Sequence, residues 1–179
     1  MNKRLIIPAF AILSLIMASC GATPKQADLY NRQLTQWQSD VKTAGDSLEQ
    51  TFRSFDSLLI KDALANAKLI TKRNIVALKD KGFLRNDSTL YNAHIKYAYT
   101  YQHVLDNEYE KMYKLYCLPD EEYGLKGDKA FRKLQLEKNQ KLNAAFFDLA
   151  QAQTDFAERY NLTLKKKQVS DSLISTTKL

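Results

Sequence analysis

Three observations predict an all-α fold, an up-and-down four-helix bundle. The 179 residues contain only five Gly and three Pro, so few positions interrupt a helix. Apolar residues recur at steps of three and four through four long segments, as one face of a helix requires. No segment shows the apolar–polar alternation of a half-buried strand, and connections between the periodic segments are short.

The first periodic segment carries Ala27, Tyr30, Leu34, Trp37, Val41, Ala44, Leu48, Phe52, Phe55 and Leu59. Gly45-Asp46 interrupts it, and Asp46-Ser47-Leu48-Glu49 has the form of a capping box, so a kink or a split into two helices is expected near Gly45. A second helix is predicted from about Lys61 to Lys81, burying Leu64, Ala67, Ile70 or Leu69, Ile75 and Leu78. Gly82 follows, where a left-handed cap favours glycine. After the turn at Phe83–Asn86, Asp87 or Ser88 caps a third helix to Tyr116. Its stripe runs Tyr91, Ile95, Ala98, Tyr101, Leu105, Tyr109, Met112, Tyr116, with Tyr97, Val104 and Leu115 beside it. Cys117 to Gly124 breaks the chain with Pro119 and Gly124. Asp128 then opens a last helix to about Leu162, built on Phe131, Leu134, Leu142, Ala145, Leu149, Ala152, Phe156 and Tyr160. Lys138 fills one apolar slot of that stripe and is expected to snorkel.

The amino terminus is of a different kind. Lys3 and Arg4 precede an apolar run, Leu5 to Met17, too short to span a bilayer and laid out as a secretory signal. The run ends in small residues and a cysteine. Leu15-Ile16-Met17-Ala18-Ser19-Cys20 resembles the lipobox of bacterial lipoproteins, in which the cysteine thiol takes a diacylglyceryl group, the preceding peptide is removed and the new amino terminus is acylated. On that resemblance residues 1–19 are a removed signal, 20–26 an acylated Cys20 and tether, 27–164 the helical domain and 165–179 a solvated tail. The partners expected are a lipid bilayer, held through Cys20, and another envelope protein. Gly21 after the cysteine agrees with sorting to the outer membrane, and the periplasmic and surface sides both stay open.

The formal charge is +7, of which Lys3 and Arg4 contribute two, leaving a modestly basic exported part. That is no nucleic-acid footprint, although anionic lipid headgroups are partners it can meet. With Cys20 acylated, Cys117 is left alone, so no internal disulfide forms and packing carries the stability. Cys117 itself is expected to be a buried spectator.

The later helices resemble a second group. Asp87-Ser88-Thr89-Leu90-Tyr91, Glu108-Tyr109-Glu110-Lys111-Met112-Tyr113 and Ala152-Gln153-Thr154-Asp155-Phe156-Ala157-Glu158-Arg159-Tyr160-Asn161-Leu162 are similar to a family of uncharacterised helical surface lipoproteins of Bacteroidetes and spirochaetes. The resemblance implies a bundle and no particular activity.

Candidate chemistry is sparse. His94 and His103, nine residues apart on one helix, point to opposite faces and cannot share a metal. Asp120, Glu121, Glu122 and Asp128 place four carboxylates in one loop, a weak candidate for Ca²⁺, although the spacing is not that of an EF-hand. Most of the ten tyrosines fall between Tyr91 and Tyr123. Tyr97, Tyr99 and Tyr113 lie off the main stripe, as an exposed aromatic patch would. Asp-Ser/Thr-aliphatic motifs at Ser47, Ser57, Ser88 and Ser172 look like Bacteroidetes O-glycosylation acceptors, and the same residues are helix-capping chemistry. No phosphate loop, nucleophile elbow or zinc motif occurs. The expectation is a membrane-anchored envelope lipoprotein without a cofactor, acting as a binding or structural module and not as an enzyme. A ligand- or metal-binding helical protein and an enzyme without a recognisable motif are the alternatives.

Overall fold

The computed structural model of the chain describes residues 21–54 and 56–163. Helix α1 spans Pro24–Thr51, α2 Ser57–Lys81, α3 Thr89–Val104, α4 Glu110–Tyr116 and α5 Asp120–Arg159. A single π turn, Leu105–Tyr109, joins α3 to α4 without a break. The α3–α4 rod therefore counts as one arm, and four arms run alternately up and down. Among the described residues the only β-type pairing is an isolated bridge between Leu84 and Asp87.

Local chemistry sets most boundaries. Thr23 and Gln26 form a reciprocal capping box at the start of α1, with Pro24 in the first turn. The helix thus begins at Pro24, inside the segment expected as tether. Asp56 Oδ1 accepts from the Leu58 and Leu59 amides (2.9 and 3.1 Å), so α2 starts one turn earlier than expected. Gly82, with φ 61°, ends α2 in the left-handed region and donates to the Leu78 carbonyl. At the third arm it is the Asp87 carboxylate that accepts from the Thr89 amide (3.0 Å), while the Ser88 side chain makes no capping bond.

Of the two expected breaks, the one near Gly45 is absent and the one before the last arm is present. Helix α1 passes through Gly45 as one helix. Gly45 is buried there, and a Cβ on it would lie 1.5 Å from the Tyr101 hydroxyl, so the glycine permits close packing of α1 on α3. The break expected from Cys117 to Gly124 is present at both its ends. The chain leaves the helix from Cys117 to Pro119, makes a single turn from Asp120 to Tyr123, and is non-helical again at Gly124, where φ is 38°, before the long remainder of α5.

The core is one cluster drawn from all four arms. Leu34, Leu48, Ile60, Leu90, Leu105, Met112 and Leu149 are fully enclosed, with Tyr109 and Phe156 the largest buried side chains. The tyrosine-rich α3 packs against α1, α2 and α5, which makes it the central helix of the bundle. No helix of the described residues is long and apolar enough to cross a membrane.

Candidate functional site

Polar groups gather at two places, one inside the bundle and one at its end. The interior group is built around the π turn. Glu108 lies seven residues after Tyr101, hence on the same core-facing stripe, and is buried. Its Oε1 pairs with Lys141 Nζ at 2.6 Å, and Oε2 makes no protein hydrogen bond. Next to it the Tyr109 hydroxyl and Lys138 Nζ both donate to Glu49 Oε1 on α1. The Lys138 ammonium also sits 5.1 Å from the centre of the Tyr109 ring. Outside this layer Lys68 pairs with Asp106 and Glu110 at 3.0 and 2.6 Å. Asn107 Nδ2 donates to the His103 carbonyl (2.8 Å), giving the backbone at the start of the π turn a side-chain partner.

Lys138 is 5 % exposed and does not snorkel. Glu49 and the π face of Tyr109 reach it in the interior, and that pairing removes the reason to extend into water. Burial, together with the Glu49 carboxylate, raises the Tyr109 hydroxyl far above its ordinary range, so it donates and does not ionise. Burial likewise raises Tyr97 and Tyr101. This layer ties three helices together through ion pairs and hydrogen bonds. A cavity several turns away along the bundle, between Trp37, Asn74, His94 and Tyr97, holds about 10 Å³, at most one water.

His94, seven residues before Tyr101, is on the same buried stripe, whereas His103 is exposed. Burial lowers the His94 pKa to about 3, so the ring is neutral. Its Nε2 lies 3.5 Å from Gln153 Nε2, whose amide also donates to Gln38.

The second place is the end where the chain enters α1. Gly21 and Ala22, the loop from Leu84 to Thr89, and Arg159 and Tyr160 enclose an open cleft of about 320 Å³. Asp87 organises it, bonded to the Thr89 amide and to Arg159 at 2.6 Å. Although burial pushes the other way, those donors hold the Asp87 carboxyl below its usual range. Tyr30 ties α1 to the same end by donating to the Gly82 carbonyl (2.7 Å), and burial pushes its own pKa up to about 12. Arg85 adopts φ 54°, a left-handed geometry unusual for a residue other than glycine, in the turn closed by Asp87 N–H to Leu84 O.

Several expected sites take a different form. Tyr97 is 5 % exposed and belongs to the core, Tyr113 is half-buried, and only Tyr99 stays well exposed, so the three form no aromatic patch. Asp120, Glu121, Glu122 and Asp128 are not drawn together: no group of three metal-capable side chains occurs among the described residues, and Asp128 pairs with Arg132 instead. Cys117 is exposed, because it lies at the end of α4 beyond the last core turn. Of the Asp-Ser motifs, Asp56 and Asp87 accept from backbone amides at the helix starts Ser57 and Thr89, and Ser47 lies exposed within α1, bonded to the Thr43 carbonyl. Cys20 and Ser172 lie outside the described residues. Glu108 and the cleft at the end were not expected as features, and His94 was weighed only as a metal ligand. The spacing of 94, 101 and 108 by sevens carried the signal for the burial of both side chains.

Compared with known protein families, characterised proteins and solved structures, the chain has no match.

Proposed function

We propose that this chain is an acylated envelope lipoprotein, a four-helix module held to a bacterial membrane through Cys20 and serving as a binding or structural element there. The observation that carries the reading is the sequence Lys3 to Cys20: a charged start, a 13-residue apolar run, Leu5 to Met17, and a lipobox-like close on one of only two cysteines. The bundle agrees with it. Its helices bury their apolar faces against one another, and none of the described ones is suited to span a bilayer, so attachment falls to the acyl chains. Each acyl chain contributes about 0.8 kcal/mol per buried CH₂, and two or three chains give a stable hold. The resemblance of the later helices to surface lipoproteins points the same way.

Metabolic labelling with palmitate tests the proposal. The wild-type chain should incorporate label and fractionate with membranes, whereas Cys20→Ser should lose the label and either become soluble or keep its signal. Labelled, membrane-bound Cys20→Ser protein would contradict the reading.

A further inference from the structure

We propose that the end of the bundle bearing Gly21 is a docking face for the anionic headgroup layer of the bilayer, so that the bundle stands upright on its anchor. The inference rests on acylation of Cys20 and adds to it an orientation and a set of contact residues.

The leash is short. Cys20 is bonded to Gly21, and the capping box at Thr23 starts α1 at Pro24. Three residues therefore separate the acylated cysteine from a rigid helix, a reach of roughly 10 Å even when fully extended. The headgroup region of a leaflet is itself about 5–8 Å deep. The end of α1 thus stays within reach of the headgroups, and so do the α2–α3 loop and the close of α5, which share the cleft with Gly21 and Ala22.

The chemistry of that end suits the location. Phe83, 57 % exposed at the tip of the α2–α3 loop, rests edge-on against Tyr91 with ring centres 5.3 Å apart. An exposed phenylalanine there offers an apolar ring to the boundary between headgroups and acyl chains. Lys81 and Arg85 flank it and are exposed. Cations near an anionic surface are drawn to it. At the opposite end Asp120, Glu121 and Glu122 form the first turn of α5, an arrangement unfavourable against an anionic surface.

Cys117 makes this measurable, since it lies at the far end and is the only thiol left once Cys20 is acylated. Helix α1 has 28 residues, which puts the two ends roughly 40 Å apart. The acylated full-length protein would be reconstituted in phosphatidylcholine vesicles with and without phosphatidylglycerol, with a donor dye on Cys117 and an acceptor on the lipid headgroups. We expect a donor–acceptor separation of roughly 40 Å in the anionic vesicles. It should shorten in pure phosphatidylcholine and in the anionic vesicles for Lys81→Glu/Arg85→Glu and for Phe83→Ser, as the bundle tips on its leash. A wild-type dye lying close to the headgroups of anionic vesicles, or a separation indifferent to lipid charge and to both variants, would overturn the docking face while leaving the anchor intact. Protein that carries no acyl group overturns both, so the two failures are told apart by its mass.

Discussion

Glu49 and Lys138 form an unequal pair. The lysine side chain is 6 % exposed and the carboxylate side chain 35 %, so only the carboxylate keeps a share of bulk water. Removing the carboxylate strands an ammonium in the interior; removing the ammonium leaves a carboxylate that water can still reach. Glu49→Ala should therefore cost about 3 kcal/mol, and Lys138→Met about 1 kcal/mol, because methionine refills the apolar slot. Urea unfolding of both variants checks this, and equal losses would show that the pair is solvated as a unit. His94 makes a prediction in pH. Burial depresses its folded-state pKa to about 3, against about 6.5 in the unfolded chain. Between those values only the unfolded state binds the proton, so the stability that neutral His94 contributes is complete above about pH 6.5 and is lost as pH falls below it. The loss approaches 1.4 kcal/mol per pH unit. Comparing the unfolding midpoints of wild type and His94→Gln from pH 7 to 4.5 should show the steeper decline only in the wild type; parallel curves would contradict it. These polar core residues were hard to read from the sequence for one physical reason. Periodicity places them on the buried face, but their charge argues against burial, and only partners distant in sequence, such as Glu49 for Lys138, resolve the conflict.

At the scale of elements, Gly45 separates two uses of glycine. In a helix interior it costs about 1 kcal/mol relative to alanine, which made a break there a reasonable expectation. The helix continues because the missing Cβ is the space that the Tyr101 hydroxyl occupies. Gly45→Ala should gain about 1 kcal/mol of helix propensity and still destabilise the protein, by up to about 2 kcal/mol net, since overpacking costs about 1–3 kcal/mol. A thermal melt shows the sign directly, and a stabilised variant would mean that Tyr101 has room to move aside. The four arms themselves were legible, because each is long, strongly periodic and bounded by residues with local chemistry such as Thr23, Gly82 and Asp87. The π turn at Leu105–Tyr109 was not legible, since nothing in that local sequence distinguishes it from an ordinary helix; its benefit lies in how Glu108 and Tyr109 meet α1 and α5. Gly124 does interrupt the helix as its position suggested, and only the single turn from Asp120 to Tyr123, between Pro119 and Gly124, was missed, because the two breakers lie close enough together to read as one loop.

At the scale of the molecule, the bundle has two distinct poles. One gathers Gly21, the Leu84–Thr89 loop and Arg159 around a cleft; the other carries the acidic turn of α5 and the exposed Cys117. The cleft was beyond the sequence, since its walls come from segments about 60 and 70 residues apart that only the up-and-down path brings together. The residue on which the functional reading depends, Cys20, was by contrast visible from sequence alone, because a lipobox-like signal is local and needs no fold. The most direct test is the intact mass of the protein extracted from its native membranes. Acylation at Cys20 predicts a chain that has lost residues 1–19 and gained a diacylglyceryl group and an amino-terminal acyl chain. A full-length chain, or one cleaved elsewhere and free of lipid, would contradict the reading.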